Sequence, residues 1–116
     1  MGIGIDIVEI ERIEKLEERF GEKGLLRFMS RGELERFQRK ESKAGVFAVK
    51  EAFSKAVGTG IGSQVGFRDI ELVKLPSGKP LLKISPTIRQ KFGIKGVEVS
   101  ISHAAGVAVA VVVVMF

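Results

Sequence analysis

The stretch Phe47-Ala48-Val49-Lys50-Glu51-Ala52-Phe53-Ser54-Lys55-Ala56 sets a carboxylate and an ammonium four residues apart inside an apolar segment that runs into a glycine cluster. At helical spacing Val46, Val49, Phe53 and Val57 form one stripe, while Glu51 and Lys55 project from the opposite face beside Ala44 and Ala48. Phe47 is apolar but lies off the stripe, so the helix is expected to be covered on more than one side. Glu51 must then be paired, hydrogen-bonded or bound to a cation. The plainer reading is a Glu51-Lys55 surface pair contributing about 0.2–0.5 kcal/mol.

Working outward, this central helix is expected from about Ala44 to Val57. The run Gly58-Thr59-Gly60-Ile61-Gly62-Ser63 follows it. Glycine permits the positive φ angles of a concave nest of N–H groups that could receive a phosphate, or the same run simply caps the helix. It matches neither Gly-x-Gly-x-x-Gly nor the phosphate-loop pattern. Upstream lie the basic residues Arg36, Arg39, Lys40 and Lys43.

At the N-terminal end, Gly2 to Val8 reads as a strand with Ile3, Ile5 and Ile7 on one face and Gly2, Gly4 and Asp6 on the other. Glycine inside a strand marks close approach by another backbone or a ligand. Ile10, Ile13, Leu16 and Phe20 then recur at helical spacing among charged residues. Gly24 to Met29 reads as a short second helix, and Ser30 with Glu33 forms a capping-box pattern for a third, reaching about Phe37.

The second half turns to strands. Phe67 to Leu75 and Leu81 to Ile84 flank a Pro76-Ser77-Gly78 turn. Ser85-Pro86 starts a short helix stopped at Gly93, and Val97 to His103 with Val107 to Met115 make a hairpin across Ala104-Ala105-Gly106. The last strand is apolar on both faces, which in so small a chain asks for another subunit as cover. One strand, several helices and then a strand-rich half indicate an α+β fold. The 116 residues suit one domain, residues 1–116.

Composition narrows the chemistry. The chain is 45% hydrophobic and 28% charged and has no cysteine, which removes disulfides, thiolate zinc sites and cysteine nucleophiles. No signal-peptide layout opens the chain, and Val107 to Phe116 is too short to cross a bilayer as a helix, so a cytoplasmic protein with no membrane partner is expected. A net charge of +5 and a sequence pI of 9.7 favour an anionic ligand or partner. No zinc-finger pattern or basic-aromatic ribbon points to nucleic acid.

Asp6 and Asp69 are the only aspartates and His103 the only histidine. A His-rich metal site is thereby excluded, and no nucleophile-elbow sequence accompanies Ser100 or Ser102. If the central helix crosses the glycine side of the first strand, Asp6 and Glu51 can form a hard two-carboxylate site suited to Mg2+, which keeps waters and accepts phosphate oxygens at its other positions. Lys55, one turn on, can reach the same phosphates. Asp6 has a second reading, as the cap of the helix beginning near Val8. His103 is either a hydrogen-bonded core residue or an anion contact at a strand end. Lys50 and Lys79 read as snorkelling surface residues.

Gly4-Ile5-Asp6-Ile7-Val8-Glu9-Ile10-Glu11-Arg12-Ile13, Phe47 to Ala56, Gly58-Thr59-Gly60-Ile61-Gly62 and Ser100-Ile101-Ser102-His103 together resemble the motifs of the bacterial holo-[acyl-carrier-protein] synthase (AcpS) family of 4'-phosphopantetheinyl transferases. The resemblance runs from the first strand to the last hairpin. It implies transfer of the 4'-phosphopantetheine arm of coenzyme A to a serine of apo-acyl carrier protein in fatty acid biosynthesis, releasing adenosine 3',5'-bisphosphate, by a homotrimer with sites between neighbours. It implies Asp6 and Glu51 as Mg2+ ligands, Glu51 and Lys55 as catalytic residues, and Lys55, Gly58, Gly60, Gly62, Lys79, Pro80, Ser102 and His103 around coenzyme A. Arg12, Lys15 and Arg19 match the surface that such enzymes present to the acidic carrier protein. One departure stands out: family members commonly carry arginine where this chain has Val46, so that phosphate contact is absent or falls to Arg39, Lys40 or Lys43. The remaining alternatives are a basic nucleotide- or RNA-binding module without catalysis and a magnesium-dependent nucleotide hydrolase.

Overall fold

The longest helix lies across a small antiparallel sheet, and small residues on both sides allow the contact to be very close. The computed structural model describes residues 1–116. Strands β1 (Gly2–Glu9), β4 (Gly96–Ala104) and β5 (Val107–Met115) form a three-stranded sheet in the order β1-β5-β4. Helix α4 (Lys40–Ala56) covers one face of it. On α4, Ala44, Ala48, Ala52 and Ala56 recur every four residues and are buried. On the covered face of the sheet stand Gly2, Gly4, Ala108 and Ala110, the first two paired in register with Val114 and Val112.

The fit is tight enough to exclude a single methyl group. A Cβ added at Gly4 would lie 1.9 Å from the Ala52 carbonyl oxygen, and one at Gly2 would lie 2.1 Å from that of Ala56. The glycines are there because a backbone approaches, as the bare face of the strand predicted.

The other flanks of α4 are also covered. Val46, Val49 and Phe53 are fully buried in a core shared with α1 (Ile10–Phe20), the hairpin β2 (Ile70–Lys74) and β3 (Pro80–Ile84), and the short helices α2 (Glu22–Leu25), α3 (Arg31–Arg36) and α5 (Pro86–Phe92). The Ser30/Glu33 capping box is present, Ser85 caps α5, and Gly93 ends it in the left-handed conformation. The β4–β5 hairpin closes through Ala105 and Gly106, both at positive φ (52° and 80°), the pattern of a type I′ turn.

Several boundaries differ from the sequence expectation. Helix α4 begins four residues earlier than Ala44, taking in Lys40 to Lys43. Residues 67–69 form a 3-10 turn ahead of β2 rather than its first rungs, and α2 starts at Glu22, ahead of Gly24. Lys50 is the larger correction, because it is not at the surface. Its side chain is 1% exposed, and its ammonium donates to Glu33 Oε1 (2.7 Å), the Phe28 carbonyl (2.7 Å) and the Phe67 carbonyl (3.2 Å). Desolvation pulls the Lys50 pKa below its ordinary value, and the Glu33 carboxylate partly offsets that pull. Helical periodicity could not reveal this, since Glu33 arrives from a separate helix.

The uncovered face of the sheet is apolar. Ile3, Ile5 and Ile7 are 65%, 57% and 63% exposed, beside the half-buried Val107, Val109, Val111, Val113 and Met115 of β5. No helix is long and apolar enough to cross a membrane.

Candidate active site

Asp6 points from the glycine face of β1 toward α4, and Lys55 meets it: the ammonium lies 2.9 Å from Asp6 Oδ1 and 3.0 Å from the Ile5 carbonyl oxygen. Two plainer readings fall with this geometry. Asp6 does not cap α1, whose N-cap is Glu9 with no side-chain cap hydrogen bond. Lys55 pairs with Asp6 across 49 residues of sequence instead of with Glu51 one turn away.

Glu51 is left without an ion-pair partner. Its carboxyl pKa is raised above the ordinary value, first by burial and then by the negative charge of Asp6, against opposing pulls from Lys55 and Arg12. Asp6 is therefore close enough to oppose the ionisation of Glu51, which is the electrostatic condition a divalent cation relieves. The donors are hard oxygens, and no third His, Cys, Asp or Glu joins them. That set fits Mg2+, which takes one or two protein carboxylates and fills its remaining positions with water and phosphate oxygens.

Glu51 also lines a cleft of about 470 Å³ between α1 and α4. Arg12, Lys15, Arg19 and Arg27 line it, with Phe20, Phe28, Phe47 and Phe67 between them. The Arg12 guanidinium lies over the Phe47 ring (5.0 Å to its centroid) and that of Arg27 over Phe20 (4.4 Å), within cation–π range. Arg12, Lys15 and Arg19 are the three that the family resemblance implied for carrier-protein docking. Arg27, Phe28 and Phe67 were not legible in the sequence, because their segments are brought to α1 only by tertiary packing.

A second cleft, of about 250 Å³, opens at the far edge of the sheet. Arg39, Ser42, Lys74, Gly78, Pro80 and His103 line it. Of the three cations that could replace arginine at position 46, only Arg39 lies here, 3.5 Å from Glu41, which also lines the cleft; Lys40 pairs with Glu14 and Lys43 with Glu17. Val46 itself is wholly buried. A larger hollow of about 660 Å³ also touches His103, but Glu9, Glu11, Glu14 and Glu41 surround it and make it a poor phosphate site. His103 is exposed rather than part of the core.

Other expected contacts are dispersed. Ser102 lies on the uncovered face, opposite Val109, while His103 alternates to the α4 side. Lys79 is exposed and 3.6 Å from Glu98. The N–H groups of Gly58, Thr59 and Gly60 all donate to the Ser54 carbonyl, and that of Gly62 to Val65. The glycine run is thus a helix C-terminal cap in which the amides of Gly58, Thr59, Gly60 and Gly62 are already used. Within one chain, Asp6, Glu51, Lys55 and Arg12 gather at the β1 edge, and Arg39, Gly78, Pro80 and His103 at the β4 edge.

Residues 2–112 match the family model described as the 4'-phosphopantetheinyl transferase superfamily. The chain belongs to this superfamily. Among its relatives is a holo-[acyl-carrier-protein] synthase of Wolinella succinogenes, 50% identical over 110 residues that cover 95% of this chain and 93% of that protein. One from Campylobacter curvus is 52% identical over 112 residues, covering 97% and 98%. The crystal structure of Helicobacter pylori holo-[acyl-carrier-protein] synthase in complex with coenzyme A superimposes with a TM-score of 0.95 at 48% identity, over 97% of this chain and 99% of that one. The α+β fold with antiparallel strands is that of these transferases, and membership sets aside a non-catalytic binding module.

Proposed function

We propose that this protein, acting through a single transferase domain of residues 1–116, moves the 4'-phosphopantetheine arm of coenzyme A to a serine hydroxyl of apo-acyl carrier protein and releases adenosine 3',5'-bisphosphate, as a cytoplasmic enzyme of fatty acid biosynthesis. The observation that carries the reading is the convergence of Asp6, Glu51 and Lys55 beside a basic, phenylalanine-lined cleft. Two acids and an ammonium suit a pyrophosphate, and the cleft suits an acidic protein.

Asp6 and Glu51 would hold Mg2+, which when bound neutralises charge on the pyrophosphate and orients it. Glu51 takes the proton from the serine hydroxyl directly or through an ordered water. The serine oxygen bonds to the phosphorus that carries the pantetheine arm, and the bond from that phosphorus to the bridging oxygen breaks. Lys55 turns from Asp6 to the adenosine-side phosphate and stabilises the charge left on that oxygen. Arg12, Lys15 and Arg19 dock the carrier protein.

Lys79, Pro80, Ser102 and His103 belong to the coenzyme A side, Arg39 takes the phosphate contact that Val46 cannot make, and the Gly58, Gly60 and Gly62 turn, at the opposite end of α4, contributes to coenzyme A binding as well. The two residue groups lie at opposite sheet edges, and Ile3, Ile5 and Ile7 are bare. Both facts favour a homotrimer in which neighbouring chains complete each site. The test follows carrier-protein mass with coenzyme A and Mg2+: wild-type protein adds one phosphopantetheine, and Glu51→Gln does not. Modification by Glu51→Gln at the wild-type rate would reject the site.

A further inference from the structure

The Lys50–Glu33 ion pair has no access to solvent and touches no candidate substrate position, yet its hydrogen bonds end on the walls of the cleft. Lys50 donates to the carbonyls of Phe28 and Phe67, and these two residues also supply rings that line the cleft beside Glu51. The Phe28 ring meets Phe47 edge-on at 5.2 Å and Phe67 at 6.3 Å, and Phe47 lies 5.9 Å from Phe67. Glu33 carries the tie further, accepting from the N–H groups of Ser30 (2.8 Å) and Leu72 (2.7 Å). The junction thus fastens the α2–α3 connection, α3, α4, the turn before β2 and β2 itself at one buried point.

We propose that Lys50 and Glu33 are positioning residues that fix the width of the phenylalanine-lined cleft, and through it the binding of the acidic protein acceptor. Lys50 is the residue directly before Glu51, so the same turn of α4 sends one side chain inward to set the aromatic wall and the next outward to the reaction. An apolar replacement would fill the space equally well, but it would not gather two carbonyls from separate loops. A buried ion pair of this kind contributes geometry more than net stability.

The inference rests on the transferase reading, and the experiment separates the two. Protein labelled with fluorophenylalanine is prepared as wild type, Lys50→Met and Glu33→Gln, the last retaining side-chain size where the first fails to fold. The fluorine signals of Phe28, Phe47 and Phe67 should move in the variants while those of Phe92 and Phe116 hold. In steady-state assays below the melting transition, KM for the carrier protein should rise roughly tenfold with KM for coenzyme A unchanged, the scale expected for a displaced binding wall. Unmoved aromatic signals, or a loss of kcat proportional to unfolded protein with both KM values intact, overturn the proposal. A wild-type protein that modifies no carrier sinks the transferase reading instead, and the fluorine signals then decide the positioning role alone.

Discussion

Replacing Gly4 with alanine tests whether the seam between β1 and α4 sets the reaction geometry. The new methyl carbon would sit 1.9 Å from the Ala52 carbonyl oxygen, 2.9 Å from the carbon of that carbonyl and 2.8 Å from the Ala56 nitrogen. All three obstacles are main chain, so no rotamer change can relieve them. Ordinary contact requires strand and helix to part by about 1.5 Å, and overpacking of this sort costs about 1–3 kcal/mol. For a chain of this size that lowers Tm by roughly 4–15 °C. Because Asp6 lies two residues along the same strand face, the separation also carries it away from Lys55 and Glu51. A misplacement near 1 Å at reacting groups can lower the rate on the order of 10²-fold. Thermal melts read the first effect, and carrier-protein mass gain at a temperature where the variant is folded reads the second. A variant with wild-type Tm and wild-type rate would refute the claim that this approach organises the site.

Four further outcomes follow from individual contacts. Glu51 binds its proton more tightly in the fold than in the unfolded chain, so its ionisation lowers stability as pH rises from about 4.5 through its raised folded value. In metal-free buffer, Glu51→Gln should accordingly melt higher than wild type at neutral pH, and the difference should vanish in melts below about pH 4.5. Asp6→Asn removes a pair whose lysine is half exposed, so denaturant titration should show a loss of no more than about 1 kcal/mol while the transfer rate collapses. Ile5→Glu alters a residue exposed in the single chain; circular dichroism should be unchanged, and the assembly mass in sedimentation should fall. Ser30→Ala removes the oxygen that accepts from Glu33 N at 3.1 Å and should cost about 1 kcal/mol in a urea melt.

Local chemistry was legible where the partners are neighbours in sequence. Ser30 and Glu33 are three residues apart and Ser85-Pro86 is contiguous, so those helix starts could be read directly, whereas the last hairpin connection, expected across Ala104-Ala105-Gly106, is one residue shorter because Ala104 still pairs with Val107. The alternation of Gly2, Gly4 and Asp6 announced a close approach without saying what would approach. The pairing of charges was not legible. Lys55 has an acid one turn away and takes another 49 residues distant, and Lys50 looked solvated because the helical pattern does not show Glu33 arriving from α3. The glycine run was ambiguous for a similar reason: whether its amides are free depends on the helix end that they fold back upon.

Strand β4 serves two surfaces at once. His103 faces the α4 side and its cleft, whereas Ser102 and Ser100 face outward with the bare isoleucines, an assignment set by the two-residue turn at Ala105-Gly106 together with Val97, Val99 and Ile101 packed on the α4 side. Adding or deleting one residue there would slip the pairing with β5 by one and exchange the two sets of side chains. Loop tips elsewhere in a protein often absorb length variation without harm; this one acts as a reading frame for the surfaces on either side of the sheet.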